Sequence, residues 1–512
     1  MILSKLLALA GIELKIQDMS SAFLLLRAAN LEISEIFSDS RKVVSGGLYI
    51  ALEGLHTDSH LCVGEAIEHG AVAAIVSEGA IKDGRIDTDG CKIPLICVEN
   101  CREAFARIYA AWYSNPQGKM KFIGVTGTNG KTSVCRMIYH VLSSTGRRCG
   151  LIGTVGSISL SETLDVKPSS PLANMTTPDP PELYKTLDIM QRDGVEYVIM
   201  EVTSHALALC KVSPIRFDIG IFTNLSEDHL DFHSDMEDYF KAKSKLLELC
   251  DRAIINIDDK YGRRLAKEGG GLKYTCSAEG RTADYQAVDI RAGSQNGVEY
   301  KLSSSRMRLR LRCKMPGMVT VNNTMQTAIA CNLVGAAPRE IKDSLSCFEG
   351  IRGRLERLKI DERVDFSVYI DYAHTPDALE NLLRTARQIS KKGQRIVLLF
   401  GCGGDREVQK RALMGNIASQ MSDFFVVTSD NSRSEEPLKI IDGILSGVCD
   451  GATYTVIENR KQAIEYVIKN AHRGDVILLA GKGHEEYEID REGKKPFSER
   501  SLVREFCEKY YS

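Results

Sequence analysis

The 512-residue sequence contains no long apolar run and almost no net charge. A helix that crosses a membrane needs about 18 or more consecutive apolar residues, and no stretch approaches that length. Lysine and arginine number 66 against 68 acidic residues, so no overall positive field favours nucleic acid or an anionic membrane surface. We therefore expect neither as a partner, although a local basic pocket can still bind a polyanionic small molecule.

The sequence also lacks the cysteine patterns of disulfide frameworks and zinc sites. Its 15 cysteines are scattered, odd in number and include no CxxC pair, which is typical of reduced, mostly buried thiols. The first 15 residues have Lys5 within a short apolar stretch and no clear cleavage site, so they predict an amphipathic helix rather than a signal peptide. We expect a cytoplasmic protein, and a monomer.

The length exceeds what one hydrophobic core supports, so two to four domains are expected. The breaker sequence SNPQG at 114–118 marks one boundary, and a second α/β pattern begins near residue 349. The predicted domains are residues 1–117, 118–348 and 349–512.

Apolar runs that alternate with helical patterns predict parallel α/β sheets. In the central domain the runs are 122–125, 195–200, 217–222 and 253–257, and a polar alternating stretch at 279–312 predicts an antiparallel addition. In the last domain they are 364–370, 395–400, 424–428 and 475–480, each followed by a polar loop.

A glycine-rich turn lies between the first central strand and a helix with apolar residues at i, i+3, i+4, i+7 and i+8. This is the position of a phosphate-binding loop, in which backbone N–H groups and the helix N-terminus hold phosphate oxygens. We call it the glycine loop; its residues are Gly127, Thr128, Asn129, Gly130, Lys131, Thr132 and Ser133. Lys131 would reach the β- and γ-phosphates, and Thr132 could ligate Mg²⁺.

The loop departs from the strict P-loop pattern, because Val125 stands where that pattern has glycine, but the shorter form GTNGKT fits. A plain glycine turn is the alternative, and the strand–loop–helix context disfavours it. The sequence has no Asn-Lys-x-Asp run after a later strand, which weakens a GTPase interpretation.

The chain carries five motifs in sequence order: SDSR at 38–41, GTNGKT, EVTSH at 201–205, TNLSEDHLD at 223–231 and DYAH at 371–374. Together they resemble the Mur ligase family, whose members build the peptide of bacterial peptidoglycan. The resemblance implies an α/β protein of three domains: an N-terminal UDP-substrate domain, a central P-loop ATPase with a parallel sheet, and a C-terminal Rossmann-like domain. It also implies ATP-dependent addition of meso-2,6-diaminopimelate to the D-Glu carboxylate of UDP-MurNAc-L-Ala-D-Glu.

The chemistry of such a ligase sets its requirements. A carboxylate is a poor acyl donor, so ATP converts it to an acyl phosphate that an amine attacks; the protein supplies metal ions, positive charge and positioning. The resemblance assigns this work to Lys131, Glu201, His229 and Lys243, with Mg²⁺ ligands at Thr132, Glu201, His229 and a carbamylated Lys243. Without it, His229 would be a loop-ordering residue and Lys243 one lysine on a solvated helix face.

The resemblance also implies contacts to the two nucleotides. ATP contacts beyond the glycine loop are Asn323, Arg354, Asp371 and His374, and Thr320 replaces the first Asn of the family's GxFNxxN segment. UDP-substrate contacts are Ser38, Ser40, Leu55, His56, Thr57, Thr176, Thr177, Thr203 and Lys211. Met175 and Leu209 depart from the family there, and Leu209 cannot supply a side-chain hydrogen bond.

The loops of the last domain indicate the amine substrate. Ligands of open α/β sheets bind at the carboxyl ends of the strands, and the amine contacts implied there are Arg406, Asp430, Asn431, Ser432, Arg433, Gly481 and Glu485. Diaminopimelate carries one carboxylate more than lysine, and the guanidinium of Arg433 can pair with it bidentately. The family's DNPR reads DNSR here, which loosens the loop. The alternative is a surface pair of Arg433 with Glu435 or Glu436.

Three other functions stay open: a lysine-adding Mur ligase, a folylpolyglutamate-type ligase and a non-catalytic nucleotide-dependent binding module. The folate-type ligase would not need the SDSR domain or the DNSR loop. A non-catalytic descendant would be free to lose the four catalytic candidates. Substrate-dependent phosphate release separates these alternatives.

Overall fold

The computed structural model describes residues 1–13, 28–54, 57–86, 91, 93–166, 175–268, 270–294, 297–361 and 363–511. The chain forms two compact units. The first unit contains residues 1–124, 147–220 and 245–251, and the second contains residues 125–146, 221–244 and 252–512.

The N-terminal part of the first unit is a small parallel sheet with flanking helices. Its strand order is β1-β2-β3-β4, so the polar turns after the four strands lie at one edge. The elements are α1 (Leu3–Ala10), β1 (Ile36–Phe37), β2 (Gly47–Ile50), α2 (Val63–Glu68), β3 (Ala71–Ser77), α3 (Glu78–Lys82), β4 (Leu95–Val98) and α4 (Cys101–Trp112), with 3₁₀ turns at Ser40–Lys42, Ser59–Cys62 and Pro116–Lys119. Four residues of α1 are buried, which confirms the predicted amphipathic first helix: Leu3, Leu6, Leu7 and Ala10.

The middle of the chain alternates strands and helices. Its elements are β5 (Lys121–Thr126), α5 (Lys131–Ser144), β6 (Cys149–Gly153), β7 (Gly156–Ser159), β8 (Glu162–Leu164), α6 (Pro180–Arg192), β9 (Tyr197–Glu201), α7 (Ser204–Ala208), β10 (Phe217–Phe222), α8 (Met236–Glu248), β11 (Cys250–Asn256), α9 (Lys260–Lys267), β12 (Leu272–Ser277), β13 (Tyr285–Ser294), β14 (Gly297–Ser304), β15 (Arg308–Cys313), α10 (Met318–Leu333) and α11 (Pro338–Cys347).

Strand pairing in each unit matches the predicted sheet type. In the first unit β6 pairs in parallel with β9 and antiparallel with β7. In the second unit β11, β12 and β13 are parallel, and β13, β14 and β15 are antiparallel. The parallel strands and the antiparallel addition are therefore confirmed. All five predicted apolar positions of α5 are buried: Val134, Met137, Ile138, Val141 and Leu142.

The C-terminal segment, residues 349–511, forms a sheet with helices on both faces within the second unit. Its elements are β16 (Glu356–Arg357), β17 (Ser367–Asp371), α12 (Pro376–Ile389), β18 (Ile396–Phe400), α13 (Gln409–Met421), β19 (Phe424–Val427), α14 (Pro437–Leu445), β20 (Tyr454–Val456), α15 (Arg460–Lys469), β21 (Val476–Ala480), β22 (Tyr487–Asp490), β23 (Gly493–Pro496) and α16 (Glu499–Tyr511). The strand order is β16-β17-β21-β18-β19-β20, and only β16 is antiparallel.

The two fully apolar strands of this sheet explain why helices cover both of its faces. β18 and β21 are buried along their whole length, because helices α12, α13 and α14 cover one face of the sheet and α15 and α16 cover the other. The loops after β17, β18, β19 and β21 all leave the same edge. We call residues 401–406, 428–433 and 481–485 the carboxyl-edge loops.

Two expectations about composition can be compared with the structure. None of the 15 cysteines is paired in a disulfide in the structure, and nine of them are buried, as expected for mostly buried thiols. Among the described residues, no helix is long and apolar enough to cross a membrane.

Candidate active site

The glycine loop joins β5 to α5 in a conformation that requires its glycines. Gly127 has φ +142°, and a Cβ there would lie 1.9 Å from Thr223 Oγ1. The loop backbone is held by its neighbours: Asn129 N donates to Asn224 Oδ1 at 2.9 Å, and Thr223 Oγ1 donates to Asn129 O at 2.6 Å. The loop is therefore fixed by contacts within the central part of the second unit.

Two lysines converge on the carbonyl of Gly127. Lys131 Nζ and Lys243 Nζ each donate to that oxygen at 2.9 Å. Lys243 is 1% exposed, and burial together with the charge of Lys131 lowers its pKa well below the usual range. Lys243 is thus a buried lysine whose charged form is disfavoured, and the alternative of a lysine on a solvated helix face is wrong.

Further predicted ATP contacts lie around the loop. Thr132 and Ser133 are buried in the first turn of α5, and Arg354 Nη2 donates to Thr132 Oγ1 at 3.3 Å. Asn323 approaches so closely that a Cβ on Gly130 would lie 2.9 Å from its Oδ1. The structure therefore brings these residues of α5, α10 and the C-terminal segment together.

The DYAH loop holds its own polar groups. Asp371 accepts hydrogen bonds from Leu355 N at 2.6 Å and Ala373 N at 2.8 Å, while burial raises its pKa. His374 Nδ1 donates to Tyr372 O at 2.7 Å. Burial lowers the pKa of His374 to about 4, so at neutral pH its Nε2 is an unprotonated acceptor.

Asp228 is a site residue that the sequence reasoning missed. Burial would raise its pKa, but His229 and His374 outweigh burial and lower it; Lys410 and Lys131 act in the same direction. His229 has φ +59°, and its Nε2 lies 3.5 Å from Asp228 Oδ2. The available signal was an acidic residue after a buried strand, directly before the predicted histidine.

In the first unit, Glu201 ends β9 and is 1% exposed. Both of its carboxylate oxygens bind Thr154, with N to Oε1 at 2.9 Å and Oγ1 to Oε2 at 3.1 Å. Thr154 Oγ1 also lies 3.1 Å from Thr176 Oγ1. A Cβ on Gly153 would lie 2.2 Å from Glu201 Oε1, so only glycine admits this approach. The sequence reasoning named Glu201 and Thr176 and missed Thr154.

The remaining predicted substrate residues of the first unit's central part also cluster. Thr177 Oγ1 donates to Glu201 O at 2.8 Å and accepts from Thr203 N at 3.1 Å. Lys211 is 3% exposed, and its Nζ lies 2.6 Å from Asp179 Oδ1 and 3.0 Å from Met175 Sδ. Its charge, predicted for the substrate, is paired with Asp179.

The N-terminal substrate residues fall at the edge where β1 and β2 end. Ser38 is half-buried, and Ser40 is buried with its hydroxyl hydrogen-bonded to Glu65 of α2. Thr57 is exposed in the turn after β2. Leu55 and His56 lie outside the described residues.

The carboxyl-edge loops are joined by side chains. Asn431 Oδ1 accepts from Lys482 Nζ and Ile489 N, both at 3.0 Å, and its Nδ2 donates to Glu485 Oε2 at 2.8 Å. Lys482 is fully buried and also contacts Asp430 Oδ1 at 3.3 Å. Burial raises the pKa of Glu485. Lys482, which sequence reasoning did not name, is thus central to this network.

Arg433 extends from the same network. Its φ is +51°, and its Nη1 donates to Gly404 O at 2.7 Å and Asn431 O at 3.3 Å. Burial and the nearby charge of Arg406 lower the pKa of Arg433. Both arginine side chains lie beside Gly403, where a Cβ would be 2.9 Å from Arg433 Nη1 and 3.8 Å from Arg406 Cγ, so an anionic ligand there would meet two positive charges.

The two glutamates that could have paired with Arg433 form ion pairs with other residues. Glu435 pairs with Arg411 at 2.8 Å, and Glu436 pairs with Lys439 at 3.6 Å. The predicted surface pair is therefore not the arrangement in the structure.

Two close approaches fix the loop that carries Ser432 and Asp430. A Cβ on Gly404 would lie 2.0 Å from Ser432 O, and one on Gly481 would lie 2.4 Å from Asp430 Oδ2. These contacts hold the loop where serine replaces the family's proline, and the expected loosening stays a prediction.

One group of metal-ligand type stands apart from these sites. Within the part of the chain that the structure describes, Glu53, Asp58 and His60 have ligand atoms within 4.8 Å of one another. Arg85 Nη1 contacts Glu53 Oε1 at 2.5 Å and Asp58 Oδ2 at 2.7 Å, so a guanidinium already pairs with both carboxylates. This group is an ion-pair network.

Comparison with known proteins gives matches along most of the chain. The model of the Mur ligase middle domain matches residues 125–331, that of the Mur ligase glutamate ligase domain residues 353–483, and that of the Mur ligase family catalytic domain residues 32–113.

Individual relatives match over nearly the whole length. The chain is 40% identical over 482 residues to UDP-N-acetylmuramoyl-L-alanyl-D-glutamate--2,6-diaminopimelate ligase 1 of Clostridium acetobutylicum, covering 94% of this chain and 96% of that protein. It is 40% identical over 485 residues to the corresponding ligase of Clostridioides difficile, with the same two coverages. A solved structure of such a ligase aligns with a TM-score of 0.66 at 28% identity, over 100% of both chains.

Proposed function

Because this chain belongs to the Mur ligase family, we propose that it adds meso-2,6-diaminopimelate to the D-Glu carboxylate of UDP-MurNAc-L-Ala-D-Glu, using ATP. The relatives named as diaminopimelate ligases support this assignment. The observation that carries the choice of amine is the presence of two arginine side chains, Arg433 and Arg406, beside Gly403. The half-buried carboxyl of Glu485 lies in the same hydrogen-bond network, through Asn431.

The reaction has two steps. The substrate carboxylate attacks the γ-phosphorus of ATP, which forms the acyl phosphate and releases ADP. The amine of diaminopimelate then attacks the acyl carbon, the C–O bond to phosphate breaks, and the amine loses a proton. The glycine loop would hold the phosphates through its N–H groups, and Lys131 would offset charge on the transferred phosphoryl group.

Mg²⁺ is proposed as the cofactor. Its candidate ligands are Thr132, His229 and a carbamate on Lys243 in the second unit, and Glu201 in the first unit. Oxygen donors suit this cation, and Glu201 offers a buried carboxylate. Lys243 fits because burial and the charge of Lys131 lower its pKa, which favours the neutral amine that adds carbon dioxide, and the carbamate would be an anion. When bound, Mg²⁺ would neutralise phosphate charge that develops during transfer.

The carboxyl-edge loops would select diaminopimelate over L-lysine through its additional carboxylate. A guanidinium pairs bidentately with a carboxylate, and Glu485 would hold an ammonium group. The lysine-adding alternative would leave one guanidinium without an anionic partner. We further propose domains at 1–117, 118–348 and 349–512, a cytoplasmic location and a monomer.

The direct experiment is ADP and phosphate release by purified protein while each substrate is omitted in turn. The proposal expects release only when ATP, UDP-MurNAc-L-Ala-D-Glu and the amine are all present, with a stoichiometric amide product by mass spectrometry. Release with a folate substrate, or no release with any combination, would contradict it.

A further inference from the structure

Asp377 is a half-buried carboxylate that the ligase assignment does not use. It lies in the first turn of α12, after Thr375, whose side chain caps that helix. Its Oδ2 accepts from Asn129 Nδ2 at 2.7 Å and from Ser226 Oγ at 3.3 Å. One oxygen of the C-terminal segment therefore binds both central loops that form the phosphate site.

The glycine loop and the loop that carries Ser226 are also hydrogen-bonded to each other directly, without Asp377. Thr128 N donates to Asn224 O at 3.0 Å, and Thr128 Oγ1 accepts from Ser226 N at 3.1 Å. The backbone of Asn129 is likewise fixed by Thr223 and Asn224. Asp377 also hydrogen-bonds to the side chain of Asn381 on its own helix. Toward the central loops it contacts side chains of an assembly whose backbone is already fixed, so these bonds locate the C-terminal segment relative to the glycine loop.

A second hydrogen bond joins the C-terminal segment to the glycine loop, but it would compete with the ligands proposed for the reaction. Arg354 Nη2 donates to Thr132 Oγ1, but both residues are proposed ligands of ATP or Mg²⁺. Their mutual contact competes with those ligands. The bonds of Asp377 have no such competitor among the assigned contacts, because they involve the side chains of Asn129 and Ser226 rather than loop N–H groups.

We propose that Asp377 is a positioning residue that fastens the C-terminal segment, with its carboxyl-edge loops, to the glycine loop. Amide formation depends on this fastening because the carboxyl-edge loops would hold the amine and the glycine loop would hold the phosphoryl group, and these loops lie in different parts of the second unit. Nucleotide binding depends on it little. The inference rests on the proposed function for its kinetic assay.

The test compares Asp377→Leu, which removes the acceptor, with Asp377→Asn, whose amide oxygen can accept the same two bonds. The matched control is Glu380→Leu, on the same helix, where the carboxylate pairs with Arg384. We expect Asp377→Leu to lower kcat by at least about tenfold while ADP affinity, measured by calorimetry, changes less than about threefold. Asp377→Asn and the control should stay within about threefold of the parent kcat.

A double-mutant cycle identifies the partner. If Asp377 acts through Asn129, Asp377→Leu combined with Asn129→Ala should be no slower than Asn129→Ala alone. Additive losses, an unchanged kcat in Asp377→Leu, or a loss of ADP affinity as large as the loss of kcat would each overturn the proposal.

Failure of the ligase assignment would be recognised separately, since the parent protein would then form no amide. Amide hydrogen exchange with ADP bound remains decisive in that case. Faster exchange at residues 376–389 in Asp377→Leu than in Glu380→Leu supports the fastening, and equal exchange in the two variants contradicts it.

Discussion

The glycine loop and the carboxyl-edge loops both lie in the second unit, yet they are built differently. The glycine loop is shaped by backbone geometry, because Gly127 and Gly130 have positive φ and leave room for Thr223 and Asn323. The carboxyl-edge loops are held by a side-chain network centred on Asn431 and Lys482. If the proposed roles hold, a phosphate site is built here from main-chain groups, whereas recognition of a zwitterion relies on placed side-chain charges.

The largest expected effect tests the glycine loop, which is shaped by its backbone. Gly127→Ala would place Cβ 1.9 Å from Thr223 Oγ1 at φ +142°, so we expect ADP affinity to fall by more than about 100-fold. Calorimetric titration with ADP measures this. The control is Gly146→Ala, where φ is also positive but no atom lies within 4 Å. Equal losses in both variants would show that backbone strain alone, rather than the close approach, matters.

The next effect tests the side-chain network. Lys482→Met keeps the volume but removes the donor to Asp430 and Asn431, so the KM for diaminopimelate should rise by about 10- to 100-fold while ADP affinity is retained. Steady-state kinetics with a thermal unfolding control measures this. Lys439→Met, at an exposed lysine of α14, should change neither constant. A parallel loss of ADP affinity in Lys482→Met would remove the distinction between the two regions.

These two regions also differ in how far the sequence revealed them. The glycine loop and the strands around it were predicted because glycine spacing and apolar runs are local patterns. The fold class and the family resemblance are confirmed, while the assigned roles of the site residues stay predictions. Asp228 was missed although it directly precedes the predicted His229. Thr154, Asp377 and Lys482 were missed because each acts through a partner distant in sequence, such as Glu201 for Thr154 and Asn129 for Asp377. A lone threonine or lysine carries no local signal of such a contact.

A smaller effect is expected at Glu201, whose carboxylate is held by both the backbone N–H and the hydroxyl of Thr154. Thr154→Val removes the hydroxyl but keeps the N–H to Oε1, so the affinity for Mn²⁺ as a Mg²⁺ probe should fall by about tenfold. Thr154→Ser should restore it. Thr163→Val, at an exposed position of β8, is the control. Unchanged Mn²⁺ affinity in Thr154→Val would mean that the N–H alone orients Glu201.

The smallest effect concerns pH. His374 and His484 have pKa values lowered to about 4, chiefly by burial, below the unfolded value near 6.5. The unfolded chain therefore binds more protons between these values, and the free energy of unfolding should fall as pH drops from about 6.5 to about 4. The slope is at most about 1.4 kcal/mol per pH unit for each histidine. Urea unfolding across this range should show a smaller slope for His374→Gln than for His472→Gln, at an exposed site. Equal slopes would contradict the burial argument.

The most direct test of the account is competition between meso-diaminopimelate and L-lysine for the amide product, with wild-type protein and Arg433→Ala. The account predicts that the wild-type protein incorporates diaminopimelate almost exclusively and that Arg433→Ala loses at least about tenfold of this preference, because the carboxylate loses a charged hydrogen-bond partner. Wild-type preference for lysine, or an unchanged preference in Arg433→Ala, would contradict it.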